Sequence, residues 1–191
     1  EERLSAAQLA VDRLAHLTHQ LLALSRADQS TLDSAPRQRI ALGDLVEEAV
    51  SLHVDAALAR QQDLGAEAAA VSLSGSRWQL RELLSNLVDN AIRYTPPGGR
   101  ITVRCGHDEH PFIEVEDNGP GIDAQERRRV FERFYRSPSA TAEGSGLGLA
   151  IVHEIAQSHG AQVQVREAGP AGGTVVRVVF RSGSGGPAAG T

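Results

Sequence analysis

Apolar side chains recur along this chain with changing period, and each stretch of constant period marks one element. From Glu1 to about Ala27, the residues Ala7, Ala10, Leu14, Leu17, Leu21 and Leu24 alternate at spacings of three and four, the seam of a heptad helix. A helix this short is not secure alone in water, so the stripe predicts packing against another helix, in a second copy or on its own domain. Asp28 to Pro36 is polar and reads as a linker. Gln38 to Leu42 reads as a short strand. Asp44 is placed to cap a helix reaching about Gln61, with Leu45, Val46, Ala49, Val50 and Val54 on its inner side.

Two weak, Ala-rich strands follow, near Leu64 to Ala70 and Val71 to Ser74. Arg77 to Tyr94 is the clearest helix, and Thr95-Pro-Pro-Gly-Gly99 stops it because proline and glycine cannot carry it on. Arg100 to Gly106 and Phe112 to Glu116 alternate as two strands joined by a turn. Ile122 to Glu143 has no period. Gly146 to His159 reads as a helix, and Ala161 to Glu167 and Gly173 to Phe180 as the last strands. Arg181 to Thr191 is Gly, Ser, Pro and Ala and is expected to be disordered.

Composition narrows what such a chain can do. Its 191 residues can bury one good-sized core, and with 41% hydrophobic but only 4% aromatic residues that core is aliphatic. A net charge of −5 argues against nucleic acid, whose backbone calls for a concentrated basic face. Cys105 is a single cysteine, so no internal disulfide forms, and Cys105, His107 and His110 lack a fourth ligand at zinc spacing and read as hairpin residues. No apolar run reaches the length of a membrane span. With no methionine, even at position 1, the chain is expected to be a piece of a longer protein whose membrane anchor or sensor lies upstream. All nineteen basic residues are arginine. A nucleotide-binding lysine of either the Walker A or the eukaryotic kinase type is therefore excluded.

Three segments carry candidate chemistry. On the Arg77 to Tyr94 helix, Glu82, Asn86, Asn90 and Arg93 fall on one face while leucines supply the other. Asparagine is a poor helix former, so two of them one turn apart suggest a polar task. Holding a Mg²⁺ ion carried by phosphates fits, because magnesium keeps most of its waters and takes one or two protein oxygens; capping a neighbouring loop is the alternative. Asp117-Asn-Gly-Pro-Gly121 ends a strand, with glycines that let backbone approach a flat ligand and a carboxylate that can accept from an exocyclic amine. Gly144-Ser-Gly-Leu-Gly148 opens a helix, where free N–H groups and the positive helix end suit phosphate.

In this order and spacing the segments resemble the catalytic, ATP-binding domain of two-component sensor histidine kinases, the GHKL class with the Bergerat fold. Leu83-Leu-Ser-Asn-Leu-Val-Asp-Asn-Ala-Ile-Arg-Tyr-Thr-Pro96 is similar to the N box, Asp117 to Gly121 to the G1 box, Phe131-Glu-Arg-Phe-Tyr-Arg136 to the F box and Gly144 to Gly148 to the G2 box. The resemblance spans roughly Arg39 to Phe180. It implies an α+β fold, a two-layer sandwich whose mixed sheet is covered on one face by helices, over residues 36–181. Residues 1–35 would be the second helix of a dimerisation hairpin with its linker, and 182–191 a disordered tail.

The resemblance implies ATP and Mg²⁺ as cofactors and assigns roles. Asn90 would be the Mg²⁺ ligand with Asn86 beside it; Arg93 and Arg136 would meet phosphates, Arg133 being a weaker candidate. Tyr94 would lie over base and sugar, and Asp117 would receive the adenine amine, with Gly119, Gly121 and Ile122 shaping the floor and Thr174 supporting the carboxylate. Gly144, Ser145, Gly146, Leu147 and Gly148 would close over the phosphates, under a lid running from about Asp123 to Glu143. ATP-hydrolysing relatives carry a glutamate where Asn86 stands, and an amide cannot act as a base, which favours transfer over hydrolysis.

The family's phosphoacceptor histidine sits in a His-Glu/Asp-x-Arg-x-Pro box that this chain lacks; His16 and His19 have no such context. Implied partners are a second copy, through the hairpin helices, and a response regulator. The implied setting is a cytoplasmic domain tethered to the membrane only through an upstream segment. A nucleotide-regulated interaction module without catalysis and an anti-sigma-factor type serine kinase of the same fold are the other readings.

Overall fold

A computed structural model describes residues 37–137, 145–169 and 172–181. The heptad segment, its linker, Gly144 and the tail lie outside the described residues. Within them the chain forms seven strands and three α-helices.

Strand β1 (Gln38–Ala41) runs straight into α1 (Leu42–Ala59) and pairs antiparallel with β3 (Ser72–Gly75) as a small separate sheet. Asp44 does not cap α1. The N-cap is Ala41, with no side-chain hydrogen bond. The leading amide of Leu42 is satisfied by the Val71 carbonyl at 2.8 Å, so the neighbouring chain does what a capping side chain would do. Along α1 the buried stripe is Leu42, Leu45, Val46, Ala49, His53 and Ala57. Val54, expected inside, is exposed, because the stripe turns toward His53 by one position.

The main sheet has the order β2 (Asp63–Ala68), β4 (Arg100–His107), β5 (Pro111–Asp117), β7 (Thr174–Phe180), β6 (Ala161–Glu167). Only β2 and β4 are parallel. One face, with Ile101, Val103, Ile113, Val115 and Val178, packs against α1, α2 (Arg77–Tyr94) and α3 (Gly148–Ser158). Period-two alternation sends the intervening residues to the other face. There Glu67, Arg104, Glu114 and Arg177 stand in register across four strands, and Arg104, Arg166 and Arg177 all approach the buried Glu114 carboxylate. A mixed sheet with helices over one face is the two-layer arrangement expected. Helix α2 and strand β6 have the ends expected, while the other strands and helices α1 and α3 shift by one to three residues, because terminal turns and strand ends are set by neighbouring segments.

The end of α2 sets the position of everything that follows. Gln62 is buried, and its Nε2 donates to the carbonyls of Ile92 at 2.9 Å and Thr95 at 2.5 Å, satisfying two groups the helix leaves open. The chain then turns through the prolines and glycines into β4, which delivers the end of β5 beside the last turns of α2.

Candidate functional site

Between α2, the start of α3 and the Asp117 end of the sheet lies a cavity of about 700 Å³, a volume suited to a nucleotide-sized ligand. Of the residues singled out above, Asn90, Arg93, Tyr94, Asp117, Gly121, Ile122, Arg136, Gly146, Gly148 and Thr174 line it. Helical spacing brings Asn90, Arg93 and Tyr94 to one side, and cross-strand register brings Asp117 and Thr174 to another.

Asp117 is buried, and its Oδ1 accepts from the backbone N–H of Gly119 at 2.8 Å and of Thr174 at 3.3 Å. Oδ2 accepts no hydrogen bond from the described residues, which leaves one carboxylate oxygen fixed and the other available to a donor in the cavity. Burial pushes the Asp117 pKa up, and the two backbone donors partly offset this. Gly119 does not line the cavity but is required beside it: a Cβ there would stand 2.9 Å from Asp117 Oδ1 and 3.0 Å from the Tyr94 carbonyl.

Asn90 faces the first residue of α3. Its Nδ2 is buried with no hydrogen-bond partner among the described residues, and a Cβ on Gly148 would come within 2.9 Å of that nitrogen. A buried donor left unpaired at a cavity is costly and calls for an acceptor from a ligand, such as a phosphate oxygen. The residues fit Mg²⁺ brought by phosphates: Asn90 offers one amide oxygen, and among the described residues no three His, Cys, Asp or Glu side chains form a cage that would bind a metal alone.

Asn86 is buried one turn below and does not line the cavity. Its Nδ2 donates to the Glu82 carbonyl at 2.9 Å and to the Glu82 carboxylate at 3.1 Å. Leu147 points into the core, and Ser145 Oγ accepts from the Leu147 N–H at 3.2 Å, a local turn rather than a wall of the cavity. Gly146 holds the loop together: its φ of +72° is the left-handed region, and its carbonyl accepts from Phe134 N–H at 2.9 Å. The F box is thereby docked onto the G2 box. Arg133, by contrast, pairs with Glu154 on α3 at 3.2 Å and does not line the cavity.

Among the polar cavity residues, Glu126, Arg127 and Tyr135 received no role of their own in the sequence reading, although they fall within its lid and F box. Tyr135 Oη donates to Glu126 Oε1 at 2.8 Å, and Arg127 Nε donates to the Ile122 carbonyl at 3.1 Å. Glu126, Arg127 and Tyr135 sit in an irregular segment broken only by a 3₁₀ turn at Arg129–Phe131, where no periodicity says which way a side chain points.

A strand-end carboxylate held by backbone, an asparagine on the opposing helix and a glycine-rich helix start, all lining one cavity, define an ATP-binding domain of the Bergerat type. The family described as histidine kinase-, DNA gyrase B- and HSP90-like ATPase matches residues 75–184. The chain is 37% identical over 151 residues to the sensor protein kinase PmrB of Pseudomonas aeruginosa, covering 78% of this chain and 31% of that protein. It is 36% identical over 167 residues to the histidine-protein kinase/phosphatase MprB of Mycobacterium ulcerans, covering 85% and 31%. Among solved structures, the mycobacterial sensor histidine kinase MprB superposes with a TM-score of 0.68 at 31% identity, over 75% of this chain and 96% of that one. The cytoplasmic segment of histidine kinase QseC gives 0.60 at 31% identity, over 89% and 93%. The chain belongs to this ATPase family and, within it, to the catalytic domains of sensor histidine kinases. It spans about a third of the length of the curated relatives it matches.

Proposed function

We propose that this domain binds ATP with Mg²⁺ and passes the γ-phosphoryl group to a histidine on a helix upstream of the present sequence, for relay to a response-regulator aspartate. The observation that carries this reading is the convergence of Asp117, Asn90, Arg93, Arg136, Gly146 and Gly148 on one cavity. Asp117 Oδ2 accepts from the adenine amine, a contact that guanine, with a carbonyl at that position, cannot make. Tyr94 covers the base and sugar. Arg93 and Arg136 meet the phosphates, and Asn90 supplies an oxygen to Mg²⁺, which when bound neutralises phosphate charge. The bond from the γ-phosphorus to the bridging oxygen breaks, a bond to the acceptor nitrogen forms, and ADP leaves. Positioning and charge neutralisation carry such a transfer, with little covalent chemistry asked of the protein. Asn86, with its amide spent on Glu82, offers no base to activate water.

In the intact protein the domain acts in the cytoplasm, from a dimer built by hairpin helices and tethered through an upstream segment. The sensor-kinase relatives favour this over a silent interaction module or a serine kinase. The test is labelled ATP and Mg²⁺ given to a form extended upstream through its own phosphoacceptor helix. An acid-labile, base-stable adduct on a histidine is expected; phosphoserine, or no transfer, would overturn the reading.

A further inference from the structure

An acidic side chain in the wall of a polyphosphate site repels the ligand, so its presence calls for a compensating task. Glu126 is such a residue. It lines the same cavity as Asn90 and Arg136, and both of its carboxylate oxygens are occupied: Oε1 by the Tyr135 hydroxyl at 2.8 Å and Oε2 by the Ser137 hydroxyl at 2.7 Å. The two donors flank Arg136 in the sequence.

The geometry points to Glu126 as a positioning residue for phosphoryl transfer: by holding Tyr135 and Ser137, it fixes the backbone from which Arg136 enters the nucleotide cavity. This role rests on Arg136 binding phosphate, as proposed above. Glu126 is itself firmly placed. Its N–H donates to the Asp123 carbonyl at 2.9 Å, and its carbonyl accepts from the N–H groups of Arg129 at 2.8 Å and Val130 at 3.0 Å. The segment it grips is pinned at its other end, where Phe134 N–H donates to the Gly146 carbonyl at 2.9 Å. The Arg129 guanidinium lies 4.4 Å from the centre of the Tyr135 ring and holds the ring from another direction. The carboxylate beside it pushes the Tyr135 phenol pKa up, which keeps the hydroxyl a donor. Hydroxyl donors to a carboxylate make charge-assisted hydrogen bonds, stronger than neutral ones, and the two here tie the segment on either side of Arg136. Arg136 therefore meets phosphate from a fixed stem instead of searching for it.

The test uses the 191-residue chain and titration calorimetry with Mg²⁺-ATP and Mg²⁺-ADP. Arg136→Ala and Glu126→Ala should each lower ATP affinity about tenfold more than ADP affinity, the scale of one lost hydrogen bond to a charged group. The double variant should lose no more than Arg136→Ala alone, since Glu126 acts through that residue. Glu126→Gln, which keeps an acceptor, should recover part of the loss. Tyr135→Phe combined with Ser137→Ala removes the same two bonds from the other side and should reproduce the ATP-specific loss. Additive losses in the double variant, equal losses on ATP and ADP, or tighter ATP binding by Glu126→Ala would each overturn the role. An ATP-specific loss in Arg136→Ala that is absent from both Glu126→Ala and the Tyr135→Phe, Ser137→Ala pair would overturn this role alone. No such loss in Arg136→Ala would remove the phosphate reading of Arg136 and this role with it.

Discussion

Asp117 and Thr174, separated by 57 residues in the chain, face each other across neighbouring strands, and the Thr174 amide donates to Asp117 Oδ1 at 3.3 Å. With the Gly119 amide at 2.8 Å on the same oxygen, the carboxylate is clamped in one orientation before any ligand arrives. In the proposed function, the oxygen left over is the one that reads the base.

Asp117→Asn should therefore weaken ATP binding by about 1.5–3 kcal/mol, the range for a hydrogen bond to a charged group, and narrow the preference for ATP over GTP. Titration calorimetry with both nucleotides reads this. Equal affinities for ATP and GTP in the unaltered chain would rule out adenine recognition by Asp117.

Asn90→Ala and Leu87→Ala sit one turn apart on α2 and should behave oppositely. Leu87 is buried in the core, so its truncation should cost about 2–5 kcal/mol of stability. The Asn90 amide nitrogen is unpaired among the described residues, so its removal should leave thermal stability nearly unchanged while abolishing the Mg²⁺-dependent part of nucleotide binding. Circular dichroism melts in which Asn90→Ala unfolds as early as Leu87→Ala would show that the amide is structural.

Gly146→Ala tests the docking of the F box. A Cβ there would lie 2.7 Å from the Phe134 carbonyl carbon, and the left-handed φ of +72° adds about 1–2 kcal/mol for any residue with a side chain. The expected result is weaker ATP binding with the α-helical signal retained. Unchanged affinity would mean that the Phe134 to Gly146 contact does not shape the cavity.

Two buried histidines should pull stability in opposite directions with pH. His159 accepts at Nε2 from the Ser76 N–H at 3.1 Å and donates from Nδ1 to the Ile155 carbonyl at 2.9 Å, which requires the neutral ring. Burial holds its pKa below 6.5, only partly countered by the Ile155 carbonyl. The unfolded chain takes the proton more readily, so this contribution is full above pH 6.5 and lost as pH falls toward the depressed folded value.

For His53, burial opposes the charge, but the Asp89 carboxylate at 3.4 Å and the Ala49 carbonyl at 2.7 Å outweigh it and raise the pKa. Its contribution is full below pH 6.5 and lost as pH rises through the raised folded value. Denaturant unfolding between about pH 7.5 and 5.5 should show His159→Gln less sensitive to acid than the parent and His53→Gln more so. The reverse order would contradict both assignments.

Without a His-Glu/Asp-x-Arg-x-Pro box, the 191-residue chain incubated with labelled ATP and Mg²⁺ should bind nucleotide yet acquire no stable phosphohistidine. Label mapped to His16 or His19 would show that the acceptor lies within the present sequence.

Sequence alone determined the elements whose signals are local. The α2 helix could be read because its leucines, its asparagines and the Pro-Pro-Gly-Gly stop all lie within three to six turns of one another, and Asp117, Gly121, Gly146 and Gly148 because backbone turns restrict residue choice at the turn itself. What no local pattern could decide was which partner a group would find across space. Leu42 took the Val71 carbonyl, so Asp44 was not needed as a cap; the α1 stripe turned toward Asp89 and buried His53 in place of Val54. Asn86 turned inward onto Glu82, and Glu126 reached nine and eleven residues ahead to Tyr135 and Ser137 in a segment without period. Periodicity records only which face of an element is apolar. Hydrogen bonds between elements depend on register, crossing and loop path, which exist only once the sheet and helices have packed together.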